Sequence, residues 1–147
     1  AGAFVAGSEA LVEWLLQKTR SYIFATAAPA LLATALQTSL QLIEQDEWRR
    51  EHLQRLIARL RSGLAQGLQG SSWRLGESPT AIQPVVIGPN DAALAVMEGL
   101  RTRGLWVPAI RPPTVAEGTA RLRIALSAAH SDADVDRLLD ALGTVPR

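Results

Sequence analysis

The spacing of apolar residues shows two kinds of pattern along the chain. Residues 1–7, AGAFVAG, are an apolar and small-residue run between glycines and read as a buried strand. Ser8 is placed to cap a helix over 9–20. Glu9 lies at its start and Lys18 and Arg20 at its end, as the helix dipole favours. Leu11, Trp14 and Leu15 make its apolar side. The stretch 21–29, SYIFATAAP, runs into a proline and reads as an extended connector. A long helical region follows over 30–70. Leu32, Leu36, Leu40 and Ile43 form one stripe, and Leu53, Leu56, Ile57, Leu60, Leu64 and Leu68 form a second. The stripes lose phase across 45–48, which predicts a bend or break. A region of about 40 residues would reach roughly 60 Å as helix, the length of an element that bridges two bodies.

Beyond residue 70 the periods shorten. Residues 70–79 read as a turn-rich linker. AIQPVVI over 81–87 is a strand, and Pro84 argues for an edge or a bulge. Residues 88–91 are a turn and cap. A helix over 92–103 has Leu94, Met97 and Leu100 inside and stops at Gly104. A short strand over 105–110, a stiff loop over 111–118 and a strand over 119–127 come next. In that last strand Leu122, Ile124 and Leu126 share a face. Ser131 caps a final helix in which Val135, Leu138, Leu139 and Leu142 recur at helical spacing. The order β-α-β-β-α predicts an α+β two-layer unit: a mainly antiparallel sheet with helices on one face. That unit is expected to stand by itself over 81–142. Residues 2–20 are expected to belong to a sheet mostly absent from this chain.

Composition narrows the picture. The 147 residues are 48% hydrophobic and 20% charged, with formal net charge +1, as in a soluble globular protein. Near-zero charge gives no electrostatic reason to favour nucleic acid or an anionic membrane. No apolar run approaches the roughly 20 residues that span a bilayer. There is no cysteine, so disulfides and thiolate chemistry are excluded. The two histidines, His52 and His130, are too few for a histidine-rich metal site. The first residues carry neither a basic region nor an arginine-rich amphipathic pattern, so they do not read as a targeting segment. A start at Ala1 inside a strand pattern suggests a piece of something longer. Arg49, Arg50, Arg55, Arg59 and Arg61 lie along the long helical region among Asp46, Glu47 and Glu51. They read as a solvated face with pairs such as Asp46–Arg50 and Glu51–Arg55, with a nucleic-acid patch as the alternative.

Candidate chemistry gathers in the last strand and the loop before it. Arg121 and Arg123 alternate with Leu122 and Ile124, so they share one face. Two arginines beside a Pro112–Pro113 loop could grip a carboxylate or phosphate through paired hydrogen bonds. The other reading is the wet face of an antiparallel sheet. Thr114 is either a ligand contact or a turn residue. His130, just before Ser131, reads as a surface or cap-supporting residue, with a general base as the alternative. Asp132, Asp134, Asp136 and Asp140 decorate a helix, two of them as favourable first-turn charges. No phosphate-binding glycine loop, zinc spacing or Ser-His-Asp signature occurs.

The stretch 109–130, AIRPPTVAEGTARLRIALSAAH, resembles the C-terminal signature of the 8-amino-7-oxononanoate synthases, pyridoxal-phosphate-dependent α-oxoamine synthases. GAFVAG, FATAAP, the long helix and SPTAIQPVVIG fit the C-terminal part of that family in order. Arg-Leu-Arg and Ala-Ala-His are shared with sister enzymes that use glycine or serine; Arg-Pro-Pro-Thr-Val is more particular to the alanine-using member. The resemblance implies an aminotransferase-like type I fold and a cytoplasmic homodimer with active sites at the subunit interface. It implies condensation of L-alanine with pimeloyl-CoA or a pimeloyl-carrier protein, with loss of CO2, in biotin biosynthesis.

It also implies pyridoxal 5'-phosphate on a Schiff-base lysine upstream of Ala1. Lys18, the one lysine, cannot replace it, so the chain alone is expected to be inactive. By the same resemblance 1–29 is the tail of the large cofactor-binding domain, 30–70 the bridging helical region and 71–147 the small α+β domain. Thr26 matches a threonine that reaches the cofactor phosphate of the neighbouring subunit, beside Ala25 where a relative has serine. Thr114 matches a substrate contact and Arg123 the arginine that holds the substrate carboxylate. Arg121 and Arg111 are supporting, and His130 has the family's position with no chemistry assigned. A non-enzymatic α+β module that senses a small acid through Arg121 and Arg123 remains the alternative class.

Overall fold

The computed structural model describes residues 4–145, which divide into two units between Gln45 and Asp46. In the first unit Ser8 opens α1 (Glu9–Lys18), its Oγ accepting the Leu11 N–H at 3.4 Å. A 3-10 turn over Arg20–Tyr22 stands where an extended connector was expected, and residues 23–29 are irregular. α2 (Ala30–Gln45) follows. No described residue of this unit is buried, and the stripe Leu32, Leu36, Leu40 and Ile43 is 40–65% exposed.

The strand expected over 1–7 is corrected in part. Residues 4–7 take no strand conformation and lie exposed, while residues 1–3 fall outside the described residues. A strand is held by ladder hydrogen bonds to a neighbour, and no described residue of this unit forms a strand to supply them.

The second unit opens with α3 (Glu47–Gly67). Asp46 leaves helical geometry (φ −99°, ψ 52°) and separates α3 from α2, at the point where the apolar stripes lose phase. Leu56, Leu60 and Leu64, each one turn from the next, are at most 2% exposed. They form a wall of the core, so the unit begins at Asp46. A start at 71 or 81 would leave out side chains each worth about 1.5–3 kcal/mol of burial. At the start of α3 the structure pairs Arg49 with Asp46 at 2.7 Å and Arg50 with Glu47, where the spacing had suggested Asp46–Arg50 and Glu51–Arg55. Asp46 stands at the N-cap position, but its carboxylate accepts from Arg49 rather than from a backbone N–H, while Arg55 turns to His52 Nδ1 at 2.9 Å.

The remaining elements are β1 (Arg74–Leu75), β2 (Ile82–Gly88), α4 (Asn90–Arg101), β3 (Ala109–Ile110), β4 (Ala120–Ala125) and α5 (Asp132–Thr144). The sheet order is β1-β2-β4-β3, antiparallel throughout. β1 was hidden inside the expected linker. β3 is shorter than the expected 105–110, because the Leu105 N–H returns to Leu100 O and Pro108 has no donor for the ladder. β2 carries a register shift between Val86 and Gly88, and Pro84 lies just past the end of β1.

Val85, Ile87, Ala120, Leu122 and Ile124 make the inner face of the sheet. Against them pack Ala93, Val96 and Leu100 of α4 and Val135, Leu138, Ala141 and Leu142 of α5. Leu94 and Met97 are only half-buried, so α4 is rotated from the expected Leu94–Met97–Leu100 face. α3 and α5 meet at Gly63, where a Cβ would lie 2.4 Å from Leu139 Cδ1. Arg59 clamps the same pair of helices with two 2.6 Å hydrogen bonds to Asp136.

Candidate carboxylate-binding face

The helices cover one side of the sheet and leave the other open. On β4 the alternation of buried Ala120, Leu122 and Ile124 with Arg121, Arg123 and Ala125 sends both arginines to the open side. Register gives them neighbours there: Arg121 lies opposite Val86 and Ile110, and Arg123 opposite Pro84. Ile82 is directly opposite Ala125, so the arginines rise from a largely apolar floor.

The two arginines differ in their partners. Arg121 folds back on the preceding loop, donating from Nε to Thr119 O at 3.1 Å and from Nη2 to Thr119 Oγ1 at 3.2 Å. Thr119 in turn donates its hydroxyl to Ala116 O at 2.7 Å. Arg121 is thus part of the loop's support. Arg123 is exposed, and its guanidinium has no hydrogen-bond or ion-pair partner among the described residues. Its backbone is fixed by a 2.9 Å bond from its N–H to Pro108 O.

Thr114 sits at the outer end of the β3–β4 connection. Its N–H donates to Arg111 O at 3.0 Å, and its side chain is exposed. Arg111 closes the same turn through its carbonyl. Thr26 is exposed in the irregular segment before α2, in the first unit, and Lys18 is exposed in the last turn of α1. His130 accepts the Ser127 N–H on Nδ1 at 3.1 Å, and its carbonyl accepts from His52 Nε2 at 2.9 Å. His52 must therefore carry its proton on Nε2, leaving Nδ1 to accept from Arg55. Both histidines tie the β4–α5 connection together.

Asp134 completes a capping box. The Ser131 N–H and hydroxyl both donate to its carboxylate, which holds its pKa below the ordinary value, with Arg137 and His130 adding smaller electrostatic contributions. The Arg59 hydrogen bonds lower Asp136 in the same way. Among the described residues no three His, Asp or Glu side chains gather as a metal site. No helix of the described residues is long and apolar enough to cross a membrane.

Arg61 departs from the solvated arginine face expected of α3: it is half-buried and turns inward to Gln83, a residue the sequence pattern had not singled out. Gln83 is fully buried among the core residues of β2 and accepts from Arg61 Nη1 at 2.7 Å. The signal was present: alternation with Val85 and Ile87 already turns Gln83 inward.

A family model for aminotransferases of class I and II matches residues 1–142. The chain belongs to this family. The resemblance to 8-amino-7-oxononanoate synthases is borne out over nearly its whole length. It is 96% identical over 142 residues to 8-amino-7-oxononanoate synthase 1 of Polaromonas sp. (strain JS666 / ATCC BAA-500), covering 97% of this chain and 35% of that one. It is 72% identical to the 8-amino-7-oxononanoate synthase of Paracidovorax citrulli (strain AAC00-1), covering 99% of this chain and 35% of that protein. The chain thus spans about 35% of the length of these curated relatives.

Among solved structures, the serine palmitoyltransferase of Sphingomonas wittichii aligns with TM-score 0.76 and 29% identity, over 94% of this chain and 36% of that one. The 8-amino-7-oxononanoate synthase of Francisella tularensis aligns with TM-score 0.76 over 92% of this chain and 38% of that one; at 23% identity it speaks to the fold alone. The α+β architecture is that of class I and II aminotransferases.

Proposed function

We propose that this chain forms the substrate-carboxylate part of a pyridoxal-phosphate-dependent acyltransferase. The complete enzyme would condense L-alanine with pimeloyl-CoA or a pimeloyl-carrier protein, release CO2 and yield 8-amino-7-oxononanoate for biotin synthesis. The observation that carries the reading is Arg123: an exposed guanidinium without a partner among the described residues, on a sheet face whose other arginine is already engaged. A guanidinium matches a carboxylate in shape and charge and can bind it through two parallel N–H donors.

The chain's own groups fit part of a pyridoxal phosphate site. Thr26 offers an exposed hydroxyl of the kind that donates to a phosphate. Lys18, at the exposed end of α1, stands in no cradle that would aim its amine at a bound aldehyde. When bound, the cofactor supplies an electron sink for the carbanion that forms on alanine. Within the second unit, Arg123 would hold the alanine carboxylate, Thr114 would contact substrate from the stiff loop, and Arg121 would keep that loop in place through Thr119. In this reading residues 1–29 complete the large domain, 30–70 lead from it, and 71–147 form the small domain together with α3, which is part of the same core. The rest of the longer protein would cover the exposed faces of α1 and α2, in a cytoplasmic homodimer.

The test is a substrate assay on a full-length chain containing this sequence, supplied with pyridoxal phosphate and a pimeloyl thioester. CO2 release that depends on alanine and not on glycine or serine is expected. Preference for serine or glycine would reassign it to a sister activity. No amino-acid-dependent CO2 release would favour the small-acid-sensing module.

A further inference from the structure

We propose that Arg61 and Gln83 act as a positioning pair for Arg123, a role that rests on Arg123 being the carboxylate-binding residue. Gln83 is the one fully buried polar side chain among the described residues. It stands on the inner face of β2 in line with Val85 and Ile87, where a branched aliphatic residue would avoid the cost of burying an amide. The amide is fully used. Its Oε1 accepts from Arg61 Nη1 at 2.7 Å, and its Nε2 donates to Thr80 O at 2.5 Å and Ser78 O at 3.3 Å. Gln83 therefore grips from below the turn that leads into β2. Outside, that turn is closed by the Ser78 and Thr80 hydroxyls.

Arg61 supplies a second constraint. The β1–β2 register continues to Gly76 opposite Pro84, and the Gly76 N–H donates to Pro84 O at 2.9 Å. The return bond of an antiparallel pair would come from residue 84, which as proline has no N–H. Arg61 Nη1 takes its place, donating to Gly76 O at 3.2 Å. Gly76 is also where the backbone must make room: a Cβ there would lie 2.8 Å from Pro84 Cγ. Pro84 is the cross-strand partner of Arg123. Gly76, Pro84 and Arg123 thus form a row across the sheet. Arg61 holds the first member, Gln83 anchors the turn that leads into β2 and directly precedes the second, and the third would grip the substrate.

The experiment uses a full-length chain containing this sequence, with the double variant Arg61→Met and Gln83→Leu. Removing both side chains together leaves neither of them orphaned, and the carbonyls they release, on the half-buried Gly76 and Ser78 and the exposed Thr80, are within reach of water, so the unfolding midpoint should fall only modestly. The KM for alanine should rise about tenfold, with a smaller change in kcat. In an Arg123→Ala background the same double variant should raise it no further, because its effect passes through Arg123. Gln83→Glu is the second variant. It keeps an acceptor for Arg61 but turns an oxygen toward Ser78 O and Thr80 O, and should show the same split.

An unchanged alanine KM in the folded double variant overturns the proposal. So does a KM rise that adds in full to that of Arg123→Ala, and so does failure of both variants to fold. If Arg123→Ala itself leaves alanine KM unchanged, the carboxylate reading falls and takes the pair with it. If Arg123→Ala raises it and the Gln83 variants do not, the positioning role alone is lost.

Discussion

Arg121 and Arg123 are two residues apart on the same strand face, and their surroundings separate their roles. Arg121 spends its donors on Thr119, whereas the Arg123 guanidinium meets no partner among the described residues. Arg121→Ala should therefore lower the unfolding midpoint of the full-length protein and raise alanine KM less than Arg123→Ala does; the reverse order would reassign the two. The shared face was legible, because strand alternation follows from Leu122 and Ile124 alone. Their different engagement was not, since it depends on where the loop places Thr119. Asp134 supports a prediction of another kind. Ser131 lowers its pKa in the folded state, so the bond stabilises the fold above the ordinary carboxylate value of about 4 and is lost as pH falls through the lowered one. Thermal unfolding of Asp134→Asn should begin below that of the parent at pH 7. The two midpoints should converge as pH drops below about 4; a constant gap would contradict the capping role.

Among the elements, α3 shows most clearly what a pattern reveals and what it leaves out. Its leucine stripe and the phase slip before it were readable from spacing. Which body the stripe buries against was not, because β1, β2 and α5 meet it only after the chain has turned back. Leu60→Ala should destabilise the protein by about 2–5 kcal/mol in denaturant unfolding. A loss below about 1 kcal/mol would mean that α3 is not a wall of this core. β1 escaped notice because two residues carry no period. The strand expected over 1–7 shows the converse. An apolar run records a preference for burial, and the four residues of it that the structure describes have no ladder partner and lie exposed.

At the scale of the molecule, the second unit has its own hydrophobic core, while α1 and α2 present apolar side chains to solvent. In the proposed reading these apolar side chains are covered by the rest of the longer protein. The family was legible from the Arg-Pro-Pro-Thr-Val loop and the Arg-Leu-Arg strand. The Arg61–Gln83 support was not, because it joins a helix to a strand across a linker. We predict that this chain alone neither retains pyridoxal phosphate nor catalyses the condensation. Lys18 is its single lysine, and one neutral hydroxyl such as that of Thr26 is worth only about 1 kcal/mol. Incubation with the cofactor, borohydride reduction and mass-spectrometric mapping should find no stoichiometric adduct. Full labelling of Lys18 together with alanine-dependent CO2 release would overturn that assignment.

The central claim is that Arg123 holds the substrate carboxylate. Its most direct test is the alanine affinity of a full-length chain containing this sequence, with and without Arg123→Ala, read while cofactor content is followed by its absorbance. A charge-assisted pair worth about 1.5–3 kcal/mol corresponds to about 10- to 150-fold. The account predicts a loss of that size with the cofactor still bound; an unchanged alanine affinity would contradict it.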